Sequence, residues 1–231
     1  MADTATPTRK KDLLLSLGVH EFRTPVTVIA GYLRMLLTGR TGALTDPQRK
    51  LLEEIEKSAA RLSALITEMS ELSALEGGGA TFNRGHVDLT DLIVGEIAAL
   101  PPMLDRDVRV TLQSGAAGAM VNGDPKHLRT VFNSLLFAHR RELVTSDELC
   151  VGINRVTHAG RPMLRVTIAG ADRIDQLREV PPDALTTFEE FRGGVGFTLP
   201  IACRIVAAHG GHLWAPPDDP KAAAVLLLPE A

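Results

Sequence analysis

The residues with the clearest chemical potential in this 231-residue chain form the run His20-Glu21-Phe22-Arg23-Thr24-Pro25. A neutral imidazole keeps one free ring nitrogen near physiological pH and can attack as a nucleophile, and a carboxylate that takes the proton from its other nitrogen sharpens the attack. Glu21 is placed for that task. Thr24 follows His20 by one helical turn on the same face, where its hydroxyl can orient a water or a phosphoryl oxygen. Pro25 removes a helical N–H and crowds the Glu21 carbonyl, so a bend is expected at the reactive turn. A histidine followed by glutamate is an ordinary solvated feature by itself; the whole hexapeptide on one helix is a more specific signal.

These side chains need a long helix to present them. Leu15, Val19, Phe22, Val26, Ile29, Leu33 and Leu36 recur at alternating steps of four and three, which predicts an amphipathic helix over about residues 11–38, on the order of 40 Å long, with His20 at the edge of the stripe facing water. Residues 1–10 are expected to be a disordered tail. Thr38-Gly39-Arg40-Thr41-Gly42 breaks the helix, and Thr45-Asp46-Pro47 starts a second one with a stripe of Leu51, Ile55, Leu62, Leu65, Met69 and Leu72. The hairpin over 11–76 carries apolar stripes along both helices, and self-association into a homodimeric four-helix bundle would cover them. Gly77-Gly78-Gly79 opens a flexible linker over 77–81.

From residue 82 to 231 the pattern changes to short β-like runs at 82–89, 108–113, 149–156, 163–169 and 222–228. They alternate with helical stretches near 90–100, 125–142 and 195–209. That is an α/β sandwich, and the whole chain is α+β. Residues 170–191 read as loop with at most one helical turn. The 25 Lys+Arg against 28 Asp+Glu and 4% aromatic residues disfavour a nucleic-acid binder. No stretch is long and apolar enough to span a membrane, so a cytoplasmic location is expected. Cys150 and Cys203 lack metal-ligand spacing and read as reduced thiols.

On this hexapeptide, its helical hairpin and the following α/β region, the chain resembles the catalytic core of sensor histidine kinases. The likeness extends to Gly194-Val195-Gly196-Phe197-Thr198-Leu199, similar to that family's last glycine box, and to Phe188 and Phe191, similar to its phenylalanine box. The resemblance implies a dimeric phosphoacceptor hairpin followed by an ATP-binding domain of Bergerat (GHKL) type. It makes His20 the phosphorylated residue, Glu21 its acid/base neighbour and Thr24 the residue that aids phosphate removal. Response regulator receiver domains become the partners, docking near Arg23, Thr27 and Arg34.

The departures from the family concentrate on the nucleotide. Residues 124–140 resemble the asparagine box, but in that register the magnesium-binding asparagine falls on Phe137, which cannot ligate a hard cation; Asn133 matches only an earlier asparagine. The acid that accepts a hydrogen bond from adenine is replaced by Gly170, a loss of about 1.5–3 kcal/mol, or roughly ten- to hundredfold in affinity. Only Arg192 and Gly193 stand between Phe191 and Gly194, where the family has a long lid, and Thr198 replaces a third glycine after Gly194 and Gly196. His139, Arg140 and Arg141 could still meet phosphate. The expectation is therefore a phosphotransfer protein with a degenerate ATP site, needing no cofactor and binding magnesium ATP weakly or not at all. An active, bifunctional ATP-dependent kinase phosphorylating His20 and a non-enzymatic dimeric scaffold are the alternatives.

Overall fold

The computed structural model describes residues 6–103 and 106–231 and, for residues 6–16, the backbone alone. The chain divides into two compact units, Met1–Ala80 and Thr81–Ala231.

The first unit is a hairpin of α1 (Thr6–Leu37) and α2 (Asp46–Glu76). Helix α1 starts at Thr6 and so takes in the second half of the expected disordered tail; Met1–Ala5 lie outside the described residues. It also runs through Pro25 without ending. Gly39 and Gly42 turn the chain with φ of 73° and 122°, values open to glycine at no steric cost. Thr45 then caps α2 in a reciprocal box: its hydroxyl accepts from the Gln48 N–H at 3.4 Å, and the Gln48 side chain accepts from the Thr45 N–H at 2.9 Å.

The packing face differs from the predicted stripes. In α1 it is Val19, Val26 and Leu33, spaced by seven, that are buried, whereas Phe22 and Ile29 are exposed. In α2 the buried residues are Ala59, Ile66 and Leu72, while the predicted Leu51, Ile55 and Leu62 face outward. Each helix carries apolar residues on more than one face, and a single hairpin can cover only one of them.

The second unit is built on a six-stranded sheet of order β2-β4-β5-β8-β7-β6, with β2 parallel to β4 and all other neighbours antiparallel. Its strands are β2 (Arg109–Ser114), β4 (Glu148–His158), β5 (Arg161–Gly170), β6 (Thr186–Thr187), β7 (His212–Ala215) and β8 (Ala223–Pro229). Strands β1 (Gly85–Asp88) and β3 (Met120–Gly123) form a separate antiparallel pair. Helices α3 (Leu89–Ala99), α4 (Pro125–Glu142) and α6 (Thr198–Ala208) supply much of the core, including Leu89, Leu128, Phe132, Leu135 and Leu199. Helix α5 (Ile174–Glu179) packs Ile174 and Leu177 against Cys150, Ala169 and Ala223.

Three sequence expectations are corrected. The strand expected over 82–89 is four residues long, because Asp88 caps α3 by accepting from the N–H groups of Thr90 and Asp91. Residues 170–191 hold α5, a 3-10 turn at Pro182–Ala184 and β6, more than the loop with one helical turn that the sequence suggests. Helix α6 begins at Thr198 instead of 195, since Gly194 and Gly196 have φ of 84° and 68° and cannot belong to a right-handed helix.

Asp124 anchors the start of α4. Its carboxylate accepts from the N–H groups of Lys126, His127 and Asn83 at 2.9, 3.1 and 2.7 Å, and His127 Nδ1 lies 3.1 Å away. Burial alone would raise its pKa, but these donors together hold it down at about 2. The native state therefore prefers the ionised form, and the resulting stability is present above about pH 4 and lost as pH falls toward 2. Asp124→Ala is expected to cost about 1–2 kcal/mol near neutral pH and to remove that part of the acid transition, as read from urea unfolding across pH.

Candidate functional site

On α1, His20 and Glu21 are among the most open side chains, 76% and 72% exposed, and His20 Nδ1 lies 3.8 Å from Glu21 Oε1. Val19 beside them is buried against α2, which fixes the helix rotation and turns His20 to solvent. Thr24 is exposed one turn further on. Arg23, Thr27 and Arg34 are also exposed, and the Thr27 hydroxyl donates to the Arg23 carbonyl at 2.8 Å. Arg23 and Thr27 line a groove of about 210 Å³ with Val26 and, from α2, Ser63, Ile66 and Thr67. The first unit thus places a solvated imidazole and a nearby carboxylate on α1, with a groove between α1 and α2 further along the same helix.

In the second unit Phe137, Gly170 and Gly194 lie around the C-terminal end of α4. Phe137 is 44% exposed and lines a cavity with Pro101, Pro102, Met103, Arg140 and Arg141. The Arg141 guanidinium donates from Nη1 to the Gly194 carbonyl at 2.8 Å, and its Nη2 lies 2.7 Å from where a Cβ on Gly194 would stand. Gly170 is buried, and a Cβ there would meet Asp172 Oδ1 at 2.5 Å and Leu143 Cδ1 at 2.9 Å. Gly196 completes the turn before α6, where the Thr198 hydroxyl donates to the Val195 carbonyl at 3.0 Å. Asn133 stands apart, its amide 3.4 Å from Glu96 Oε2 in an α3–α4 contact that Arg129 shares.

The sequence leaves His139 free to meet phosphate, but in the structure it is buried in the core. Its Nδ1 donates to the Leu135 carbonyl at 2.7 Å. Burial, reinforced by the charge of Arg192, pushes its pKa down to about 4. The native state thus resists a proton that the unfolded chain binds near pH 6.5. Stability is full above that pH and is lost progressively as pH falls through 4, by up to about 3 kcal/mol. Urea unfolding followed by Trp214 fluorescence should show this slope, and His139→Leu should flatten it.

Arg192 is a residue that sequence reasoning passed over as part of a shortened lid. Its side chain is 1% exposed and pairs with Glu142 at 2.6 Å. It donates to the carbonyls of Glu189, Pro220 and Lys221, and its guanidinium lies 4.7 Å from the centre of the Phe188 ring. Phe188 is buried by this stacking, whereas Phe191 is exposed. Neither cysteine is in a disulfide, and burial raises the Cys203 thiol to about 12, too high for ready ionisation.

Residues 10–78 match the His Kinase A (phospho-acceptor) domain. Over 222 residues the chain is 27% identical to the sensor protein VanS of Enterococcus faecium, covering 91% of this chain and 55% of that protein. The circadian input-output histidine kinase CikA of Synechococcus elongatus is 26% identical over 84% of this chain and 26% of its own length. Residues 10–78 are thus a histidine kinase phospho-acceptor domain, and the chain as a whole resembles the catalytic core of sensor histidine kinases. It spans about half the length of VanS and about a quarter of CikA. As a fold, the chain is similar to full-length ShkA in complex with AMPPNP, with a TM-score of 0.69 at 20% identity, over 94% of this chain and 46% of that one. Acinetobacter baumannii AdeS is similar with a TM-score of 0.57 at 17% identity, over 91% of this chain and 98% of that one. The fold is thus two N-terminal helices followed by a mixed α/β domain like that of histidine kinases. Among the described residues no helix is long and apolar enough to cross a membrane.

Proposed function

We propose that the chain is a two-component phosphotransfer protein in which His20 exchanges a phosphoryl group with the aspartate of a receiver domain, and in which the ATP site is degenerate. The proposal pairs an open nucleophile with a poor nucleotide cradle. Glu21 lies toward Nδ1 of His20 at 3.8 Å, so Nε2 is the nitrogen left to attack. The Nε2–P bond forms as the bond from phosphorus to the aspartyl oxygen breaks; the aspartate leaves as a carboxylate, and the Nδ1 proton passes toward Glu21. Reversal delivers the group to another receiver. The helices contribute positioning, and the receiver supplies its own magnesium. In a phosphatase variant of the same chemistry, Thr24 holds the attacking water.

The observation that carries the degenerate-site reading is Arg141 seated on Gly194. Its guanidinium fills space at the turn where free N–H groups would receive phosphate. Phe137 offers no oxygen to a metal, and Gly170 has no carboxylate of its own for an adenine amino group. These residues do not fit a bound magnesium nucleotide. Self-association belongs to the same proposal: Phe22, Ile29, Tyr32, Leu51, Ile55 and Leu62 are exposed on the hairpin, and a second copy would cover them as a four-helix bundle.

The second reading is an ATP-dependent autokinase, favoured by the fold likeness to ShkA, whose structure is a complex with AMPPNP. Calorimetric titration with magnesium ATP, run beside transfer from a phosphorylated receiver, separates the two. His20-dependent transfer without nucleotide binding is the expected result. Tight nucleotide binding with label appearing on His20 would reverse the order of the readings.

A further inference from the structure

The second unit begins at Thr81, and its first residues are fastened at once. The Asn83 N–H donates to Asp124 Oδ2 at 2.7 Å, and Arg84 donates from Nη2 to the Ala208 carbonyl at 2.6 Å. The Phe82 ring meets two imidazoles, His127 at 4.7 Å between centroids and His209 edge-on at 5.2 Å. Arg84 also lies over the Phe82 ring, 5.9 Å from its centre. This anchor sits at the N-terminal end of α4, the opposite end of that helix from Phe137 and Arg141.

His209, buried at the end of α6, is the part of the anchor that responds to protons. Its Nδ1 donates to the Ile205 carbonyl at 2.7 Å, which leaves the lone pair on Nε2, and that lone pair accepts from the Asp124 N–H at 3.0 Å. The bond network therefore requires the neutral ring, since a proton on Nε2 would set one N–H against another. Burial first, then the charges of Arg84 and His127, hold its pKa below the ordinary histidine value, against the Ile205 carbonyl and the Asp124 carboxylate. Those three charged groups are the ones that face it. An imidazolium drawn to the Asp124 carboxylate competes with the Asn83 N–H for the same acceptor. It also needs water. Helices α4 and α6 are held by buried side chains such as Leu128, Val131 and Ile205, whereas Phe82 is half-buried and Asn83 and Arg84 are exposed, so lifting residues 82–84 is the least costly way to hydrate the ring.

We propose that residues 82–84 form an acid-released anchor: protonation of His209 detaches them from α4 and α6 and adds them to the glycine-rich tether, Gly77-Gly78-Gly79, that joins the two units. Three residues add on the order of 10 Å of reach. The released state binds the proton more readily, so the anchor is complete above 6.5, the ordinary histidine value, and is lost progressively as pH falls below it. This goes beyond the phosphotransfer reading and does not depend on it.

Hydrogen–deuterium exchange of the full chain at about pH 7.5 and about pH 5.5, corrected for the intrinsic rate at each, reads the anchor through the Asn83 amide. The buried His139, with its pKa at about 4, stays neutral at both. Protection of Asn83 should fall at least about tenfold at the lower pH, while amides of residues 128–136 in α4 keep theirs. His209→Gln, whose amide oxygen can accept from the Asp124 N–H without titrating, should hold its protection at both values. His127→Gln should leave the acid step in place, because a charged His127 pairs with Asp124, 3.1 Å away, and tightens the anchor. Phe82→Ala should lower the protection already at the higher pH. Urea midpoints read by Trp214 verify that the variants are folded. Flat protection in the parent chain, an acid step that survives in His209→Gln, or an equal loss at residues 128–136 overturns the proposal. Should His209→Gln fail to fold, the other two decide: loss of the acid step in His127→Gln, or parental protection in Phe82→Ala, overturns it as well.

Discussion

Replacing His20 with alanine is expected to abolish phosphoryl transfer from an acyl-phosphorylated receiver, a loss of at least about a thousandfold, while leaving stability within about 0.5 kcal/mol of the parent. The separation is possible because the imidazole is 76% exposed and packs against nothing that folding requires. Alanine also favours the helix, so α1 stays intact. Glu21→Gln should keep the acceptor but slow the transfer by about a hundredfold, since the amide orients without taking the proton. Thr24→Ala should spare phosphorylation of His20 and slow only the loss of phosphate to water. Acid-labile label retained in His20→Ala, measured by gel autoradiography from a labelled receiver, would remove His20 from the chemistry altogether.

Arg192→Met is the substitution with the largest expected effect on folding, about 3 kcal/mol of destabilisation of the α/β unit. The side chain is 1% exposed, and its donors serve Glu142 and three backbone carbonyls. Methionine fills part of the volume but leaves Glu142 and those carbonyls without their partner. Partial exposure of Glu142, at 24%, keeps the figure at the lower end for a broken buried pair. Arg192→Lys should rescue little, because an ammonium cannot reproduce the planar fork. The single tryptophan, Trp214, lies in this unit and reports the urea midpoint. The variant should also raise the pKa of His139, because the Arg192 charge is one of the two causes that depress it. An unchanged midpoint would show that the short segment after Phe191 is held by something other than this ion pair.

The fate of Arg192 illustrates where sequence reading stops. In the run Phe191-Arg192-Gly193-Gly194 an arginine reads as part of a solvated connection, and nothing local says that Glu142 and the carbonyls of residues 220 and 221 will close around it. His139 is a parallel case, a polar residue among arginines that the packing of α4 carries inward. Strand β3 escapes a sequence reading because a run of four residues carries too little alternation to register as a period.

What the sequence determined by itself was local: the two long helices, the turn and the N-terminal cap between them, the bounds of α4 after its Asp124-Pro125 start, and the position of His20 on a solvated face. Helical periodicity and cap chemistry act over a few residues, so they are written in the chain directly. Only the tertiary structure decided which apolar face of each hairpin helix is buried, that Arg141 rests on Gly194, and that Asp172 folds over Gly170. Those outcomes depend on partners distant in sequence or on how the backbone turns, because burying a polar group is settled by whatever donors and acceptors the fold brings to it.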